Sequence, residues 1–112
     1  MPARLNYVEF PVADTARAAS FYAAAFGWIF TDFGPTYAAT TTGDTDVGFQ
    51  ADREKATTDV LPVIQVDDLD HALAATTAAG GEITAPIFAF PGGRRFHFRD
   101  PDGHEIAAMQ PG

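Results

Sequence analysis

The stretch LNYVEFPVADTARAASFYAAAFGW, residues 5–28, predicts a strand followed directly by a helix. Apolar residues alternate over Val8–Val12, which is the period of a half-buried strand. Asp14 stands where an N-cap is expected, and apolar residues then recur at helical spacing over 15–26. Gly27 is expected to end this helix.

The same arrangement recurs 54 residues later in the chain. The matched residues fall at junctions of the same kind: strand end, helix cap, helix face and helix end. At this shift, Val12, Asp14, Ala18, Gly27 and Ile29 fall on Val66, Asp68, Ala72, Gly81 and Ile83. This agreement indicates an internal duplication, with chance similarity between two Ala-rich helices as the alternative. A second helix is expected from about residue 69 to Gly80, and further strands at 28–33, 37–42, 46–50, 60–66, 82–90, 94–99 and 104–110.

Alternation along the predicted strands separates two faces. One parity is apolar and is expected to pack under the helices, as with Val8, Phe10, Phe96 and Phe98. The opposite parity mixes apolar, aromatic and charged side chains, a composition that suits a half-open cavity with a few polar groups. An ordinary exposed sheet face is the alternative. The candidate ligand-binding residues on this parity are Tyr7, Glu9, Gln65, Arg95, His97, Glu105 and Met109.

Composition excludes several classes of function. The 112 residues contain no cysteine, which excludes a disulfide scaffold, thiolate metal sites and thiol catalysis. A net charge of −8 opposes binding to the phosphate backbone, so no nucleic-acid partner is expected. No apolar run has the length of a membrane span, and the start MPARLNYVEF lacks an apolar signal core. A cytoplasmic location with no membrane partner is therefore expected.

Two motifs, placed around the repeat, resemble the vicinal oxygen chelate superfamily, which includes glyoxalases, bleomycin-resistance proteins and extradiol dioxygenases. The first is YVEFPVAD at 7–14, followed by Phe21-Tyr22 and Phe26-Gly27-Trp28. The second is the closing hairpin FHFRDPDGHEI at 96–106. The resemblance implies an α+β fold: a single glyoxalase-like domain over 1–112, with two βαβββ modules at about 4–50 and 60–110. These modules would form a curved mixed sheet with the helices on its outer face.

The resemblance also identifies the positions at which metal-dependent relatives carry their four ligands. These positions fall here on Tyr7, Leu61, Ala107 and either Val47 or Gly48. Leucine and alanine have no donor atoms, and a neutral tyrosine is a poor ligand for a divalent ion. We therefore expect the family metal site to be lost, with no bound metal and no cofactor.

The function that follows is metal-free binding of a small organic molecule, as in the bleomycin-resistance proteins that the chain resembles. One alternative is an enzyme of the lyase or dioxygenase type. It would use a displaced metal site built from Glu9, His97 and Glu105, or Glu9 and His97 as a metal-free acid–base pair. A third class is an interaction module without a ligand. Relatives of this length form dimers, and the fourteen aromatic residues are many for the chain, so a homodimer is expected.

Overall fold

The computed structural model describes residues 3–112, which form two compact units. The first unit is Tyr7–Leu61, and the second is Pro62–Gly112 together with the residues that precede Tyr7. The described residues contain eight strands and two helices in the order βαβββ, repeated once. Their bounds are β1 Arg4–Pro11, α1 Thr15–Phe26, β2 Thr31–Asp32, β3 Tyr37–Ala39, β4 Asp46–Gln50, β5 Leu61–Gln65, α2 Leu69–Ala78, β6 Glu82–Phe90, β7 Gly93–Arg99 and β8 Glu105–Pro111.

The two units repeat one strand order. The first unit has the order β2-β3-β4-β1, and the second has β5-β8-β7-β6. In each unit the first strand pairs in parallel with the last, and the other pairings are antiparallel. The predicted α+β class with mixed strand pairing is confirmed.

Helix α1 has the bounds that the sequence predicts, because both of its ends have strong local signals. The Asp14 carboxylate accepts hydrogen bonds from the backbone N–H groups of Ala16 and Arg17. These contacts satisfy donors that the first helical turn leaves without partners. Gly27 ends the helix in the left-handed conformation, with φ of 72°.

Helix α2 begins in the same way and ends differently. The Asp68 carboxylate accepts a hydrogen bond from the His71 backbone N–H at 3.0 Å. The helix ends at Ala78, and the left-handed residue is Gly80, with φ of 98°. Gly81, the counterpart of Gly27 in the repeat, therefore lies one residue after the left-handed Gly80 and three residues after the end of the helix. Neither helix in the described part of the chain is long and apolar enough to cross a membrane.

The core of the first unit is aromatic. Phe49 on β4 is fully buried, and its ring contacts the rings of Phe10, Tyr22 and Phe30 at 5.0–5.8 Å between centroids. One predicted strand of this unit is shorter in the structure. The segment 28–33 contributes only Thr31–Asp32 to the sheet, and the Phe30 ring just before it stacks on Phe49.

The core of the second unit lies between α2 and one face of its strands. Leu69, Phe96 and Ala108 are buried at its centre. Partly buried apolar residues surround them, namely Val66, Ala72, Leu73, Ile83, Ile87 and Phe98. This face is the one that the alternation assigns to the helix, so the prediction of an apolar helix-side face is confirmed here.

Strand β6 lies at one end of the strand order of the second unit and is irregular. Its pairing with β7 shifts register twice, between Ile83 and Ala85 and between Ala85 and Phe88. Pro86, which has no backbone N–H to donate, is exposed within this irregular part. Phe88 consequently pairs with Arg95, which places an aromatic ring beside a predicted site residue.

Candidate ligand-binding faces

The helix-free face of the first unit carries a buried network of tyrosine and glutamate. Tyr7 and Glu9 project from β1, and Tyr37 projects from β3. The Tyr37 hydroxyl donates a hydrogen bond to Glu9 Oε1 at 3.1 Å, and the hydroxyls of Tyr7 and Tyr37 are hydrogen-bonded at 2.5 Å. Glu9 is buried. Two of the predicted site residues, Tyr7 and Glu9, are therefore linked through a residue that the sequence does not single out.

A glycine makes room for this network. Gly48 on β4 pairs with Glu9 in register, and a Cβ atom at Gly48 would collide with the hydroxyl oxygens of both Tyr7 and Tyr37. Gly48 therefore lies on the same face as Tyr7, which resolves the register that the sequence leaves open between Val47 and Gly48. The family ligand position on β4 thus holds a residue without a side-chain donor.

Burial keeps the Tyr37 phenol protonated. Desolvation raises the pKa of Tyr37 far above its usual value, and the neighbouring Glu9 carboxylate and Tyr7 raise it further. A charged phenolate would lose its hydration and face the negative charge of the carboxylate. Tyr37 therefore acts as a hydrogen-bond donor to Glu9.

In the second unit the predicted site residues form two rows across the strands. Gln65, Met109 and Arg95 are register partners across β5, β8 and β7, so they share one face. The next row contains His97, paired with Ala107. Because register partners project to the same side of a sheet, the predicted grouping of these residues on the helix-free face is seen within this unit. Whether they bind a ligand remains a prediction.

His97 and Glu105 form the most distinctive contact of this face. His97 Nδ1 lies 3.0 Å from Glu105 Oε2, and the His97 side chain is only 8% exposed. Glu105 also accepts a long hydrogen bond from the Thr84 hydroxyl. The second ring nitrogen, His97 Nε2, is buried and makes no hydrogen bond to any part of the chain that the structure describes.

Aromatic rings border the same face. The Arg95 guanidinium lies over the rings of Phe88 and Phe90, at 5.2 and 5.1 Å from their centroids. The Phe88 ring is also 5.7 Å from the His97 ring. A delocalised guanidinium stacks well on aromatic faces, so these contacts hold Arg95 in one orientation. Gln65 is oriented separately, because its Oε1 accepts a hydrogen bond from Asn6 Nδ2 at 2.9 Å.

A second cluster of acidic and histidine side chains lies in the exposed turn before β8. Donor atoms of Asp100, Asp102 and His104 lie within 4.8 Å of one another. The backbone N–H of His104 lowers the pKa of Asp100, and the His104 ring and the Asp102 N–H act in the same direction. These hydrogen bonds account for the cluster as part of the turn. His71 on α2 and His104 in this turn are both exposed.

A separate cleft of about 520 Å³ lies in the first unit, beside the end of α1. Its lining residues are Gly27, Trp28, Ile29, Thr40, Thr41, Thr42, Thr45 and Val47. One wall is the turn after β3. In this turn the Asp46 carboxylate accepts hydrogen bonds from both the side chain and the backbone of Thr42 and from the Thr40 hydroxyl. Partial burial opposes ionisation, but these bonds outweigh it and lower the pKa of Asp46.

Four residues shape these faces beyond the predicted site residues: sequence reasoning missed Tyr37, Phe88 and Phe90, and it left Gly48 open against Val47 as a family ligand position. Tyr37 and Gly48 complete the network of the first unit, and Phe88 and Phe90 border His97 and Arg95 in the second. Alternation along β3 and β4 could have indicated the first two, since their register partners lie on the same face. The register shifts in β6 leave no comparable signal for Phe88.

One comparison with known proteins identifies the family of the chain. The sequence model of the Glyoxalase/Bleomycin resistance protein/Dioxygenase superfamily matches residues 4–108. No curated protein sequence matches the chain.

Several solved structures share the fold. A protein described as an NAD-dependent benzaldehyde dehydrogenase from Legionella pneumophila aligns with a TM-score of 0.78 at 20% identity, over 99% of this chain and 100% of its own. Methylmalonyl-CoA epimerase from Mycobacterium tuberculosis aligns with 0.75 at 17% identity, over 96% and 87%. The Mn(II)-bound glyoxalase from Novosphingobium aromaticivorans aligns with 0.69 at 21% identity, over 97% of this chain and 40% of its own. At these identities the likeness shows the fold alone.

Proposed function

Because the chain belongs to the Glyoxalase/Bleomycin resistance protein/Dioxygenase superfamily, we propose that it binds a small organic molecule, without a metal, on the helix-free face of its second unit. The observation that supports this proposal is the environment of the His97 ring. The ring is almost fully buried, and its Nδ1 contacts the Glu105 carboxylate. Its Nε2 has no hydrogen-bond partner in the described residues.

A buried polar atom without a partner costs about 1–3 kcal/mol of stability, so natural proteins rarely keep one without a reason. A carboxylate can only accept, so a neutral His97 ring that bonds Glu105 donates from Nδ1 and keeps a lone pair on Nε2. A ligand with an O–H or N–H group at Nε2 would satisfy this lone pair. Phe88, whose ring is 5.7 Å from His97, offers apolar contact beside it.

The donor chemistry of the family positions supports binding without a metal. Leu61 and Ala107 are both fully buried, and neither has a donor atom. Gly48 has no side chain, and the Tyr7 hydroxyl is hydrogen-bonded to Tyr37. Divalent transition metals need carboxylate, imidazole or thiolate ligands, so these four residues do not fit the metal that glyoxalase relatives hold. Titration of zinc or nickel is expected to show no binding at micromolar concentrations.

A thermal-shift screen of small organic acids, amides and phenols tests the proposal. A compound that binds is expected to raise the Tm of the wild-type protein and of His71→Ala, but not that of His97→Ala. His71 is the matched control because it is an exposed histidine on α2. A compound whose Tm shift persists in His97→Ala would overturn the proposed site. Binding that requires added zinc or nickel would overturn its metal-free character.

The contact between His97 and Glu105 favours a second candidate function, which is metal-free proton transfer. In this reaction His97 Nε2 takes a proton from a carbon acid, the ring becomes imidazolium, and the electron pair stays on the ligand. Return of a proton from Nε2 to the same carbon balances the cycle with no other reactant. Glu105 acts as a positioning residue, because its carboxylate fixes the tautomer and stabilises the imidazolium.

Deuterium exchange separates binding from proton transfer. Any compound from the screen is incubated with the protein in D₂O, and loss of its C–H signals is followed by NMR. Catalysis predicts exchange that is abolished in His97→Ala and slowed at least tenfold in Glu105→Gln, with binding retained in Glu105→Gln. Binding of a compound without exchange of its C–H protons would support the binding function and contradict proton transfer.

A further inference from the structure

We propose that the cleft beside the end of α1 binds a small organic cation that carries a methylated ammonium group. The cleft has a volume of about 520 Å³, which lies in the range of small-molecule sites. Gly27, Trp28 and Ile29 form one wall, and the other wall is the threonine-rich turn after β3. The cleft belongs to the first unit and His97 to the second, so this site goes beyond the proposed function.

The indole of Trp28 gives the cleft a surface that attracts cations. Its ring stacks on Tyr22, with 9° between the ring planes and 5.3 Å between the centroids. Phe26 and Phe30 contact the indole at 5.7 and 6.4 Å, so the ring is held in one orientation. Trp28 is still 39% exposed, and a ligand in the cleft can reach it. Tryptophan has the strongest cation–π attraction of the aromatic residues, and quaternary ammonium groups are bound in this way.

The end of α1 adds negative potential to the same cleft. Gly27, which lines the cleft, is the residue that follows the helix. The carbonyl groups at a helix C-terminus carry a partial negative charge, which stabilises a cation beside them. The last turn of α1 has no basic side chain that would offset this charge. A bound cation can therefore take the position that lysine or arginine often occupies at the end of a helix.

The Asp46 carboxylate supplies a full negative charge next to the threonine wall. Its Oδ1 atom accepts hydrogen bonds from the hydroxyls of Thr40 and Thr42, and both threonines line the cleft. The backbone N–H groups of Thr42 and Gly43 donate to the same carboxylate. Against the effect of partial burial, these bonds lower the pKa of Asp46, so the carboxylate is ionised at neutral pH. The net charge of −8 adds to the attraction for a cation.

The same hydrogen bonds determine which kind of cation fits. Four of them fill most of the acceptor capacity of Asp46, which leaves little of it for the N–H groups of a primary amine. A divalent metal needs several carboxylate or imidazole ligands, and the residues that line the cleft include neither. A quaternary ammonium group donates no hydrogen bond, and its methyl groups can pack on Trp28, Ile29 and Val47. Charge and apolar surface together therefore favour a methylated ammonium group.

Choline and its neutral carbon analogue, in which a tert-butyl group replaces the trimethylammonium group, allow a direct test because they share one shape and differ in charge. Each compound is titrated into the intact protein, and the emission of Trp28, the single tryptophan, reports binding. We expect choline to bind at least tenfold more tightly than the neutral analogue. Its affinity should fall as the salt concentration is raised, because salt screens the attraction.

Two variants test the groups that would hold the cation. Trp28→Leu is expected to abolish binding, as followed by saturation-transfer NMR on the choline methyl signal. Asp46→Asn removes the charge but keeps the Oδ1 acceptor, so it should weaken choline binding at least threefold. Asp59→Asn is the matched control, since Asp59 is exposed in the segment before β5 and does not line the cleft. Circular dichroism establishes that each variant is folded.

Three results would overturn this inference. The first is no binding of choline at concentrations of tens of millimolar. The second is equal affinity for choline and its neutral analogue, since the cleft would then be selective only for apolar shape. The third is choline binding that Trp28→Leu leaves intact and His97→Ala abolishes, which would place the cation in the second unit. The proposed function is measured separately, by the Tm shifts of wild type and His97→Ala, so it stands if this inference fails.

Discussion

The two units share one arrangement of strands and helix and differ in the side chains that this arrangement carries. Both have a strand, an aspartate-capped helix and three more strands, with the same strand order. On the helix-free face, the first unit holds a closed network of Tyr7, Tyr37 and Glu9, and the second presents a buried His97 nitrogen without a partner in the described residues. The two units therefore share the elements that specify the fold and differ in the side chains that specify chemistry.

The exposed sides of the two helices also differ in polarity. Helix α1 exposes phenylalanine and alanine, and it carries one charge. The exposed side of α2 carries Asp70 and His71, and Asp70 forms an exposed ion pair with Arg94 at 3.7 Å. The helix of the first unit thus has an apolar outer surface, and the helix of the second unit has a polar one.

The largest expected effect tests whether the two cores are equivalent. Phe49 and Phe96 are the central, fully buried rings of the first and second units. Truncation of either to alanine removes a large buried side chain and leaves a cavity, so each is expected to cost about 3–5 kcal/mol of unfolding free energy. Urea denaturation measures this cost. If one of the two variants loses less than about 1 kcal/mol of unfolding free energy, the two cores are not equivalent.

The next effect belongs only to the first unit. Gly48→Ala places a methyl group against the hydroxyls of Tyr7 and Tyr37, and φ at Gly48 is not in the left-handed region, so the cost is steric. We expect a loss of about 1–3 kcal/mol, with part of it recovered when Tyr7→Phe is added. Gly112→Ala is the control, because a methyl group there meets no atom within 4 Å. An unchanged urea midpoint in Gly48→Ala would contradict the close packing of this face.

Alkaline pH should destabilise the first unit through Tyr37. Burial and the neighbouring Glu9 raise the pKa of Tyr37 in the folded protein above the usual tyrosine value of 10.0. Its contribution to stability is therefore complete below pH 10 and is lost as pH rises further, because the unfolded chain releases the proton first. The unfolding free energy should fall by up to about 1.4 kcal/mol per pH unit from this group.

Tyr37→Phe should flatten this dependence, as followed by urea denaturation between pH 9 and 11. Tyr22→Phe is the matched control, because the Tyr22 ring packs among the aromatic rings on the helix side. Equal slopes for wild type and Tyr37→Phe would show that the phenol is not held protonated by its surroundings.

The smallest effect tests a feature that the units share. Asp14→Ala and Asp68→Ala each remove an N-cap and should cost about 1 kcal/mol. Asp14 accepts hydrogen bonds from two backbone N–H groups and Asp68 from one, so the loss should be no smaller for Asp14. Replacement by asparagine should retain most of the stability in both. Opposite behaviour at the two caps would show that the helix starts have diverged as well.

Local signals in the sequence predicted the frame of the molecule. The bounds of α1, β4 and β6 agree with the prediction, because helix caps, turn glycines and strand alternation depend only on residues that are close together in the sequence. The helix-side faces were also predicted, since period-two alternation depends on the strand alone. The strand predicted over 28–33 is mostly wrong, since only Thr31–Asp32 pair in the sheet, and local alternation does not indicate the contact of Phe30 with Phe49, nineteen positions away.

The chemistry of the faces was less accessible to prediction because it depends on register between strands. His97 and Glu105 were placed on one face, but their contact requires the pairing of β7 with β8. Tyr37 joins Glu9 only because β3 pairs with β4 and β4 pairs with β1. Residue types alone do not fix such non-local pairings, so the network of the first unit was missed.

The irregularity of β6 affects the tendency of the protein to aggregate at high concentration. A long regular strand at the end of a sheet is a template onto which another chain can add, and such addition leads to aggregation. In β6 the two register shifts and the exposed Pro86 interrupt the row of backbone donors and acceptors. At the corresponding end of the first unit, β2 is only two residues long. These strands are poor templates for intermolecular strand pairing, so specific association is left to side chains.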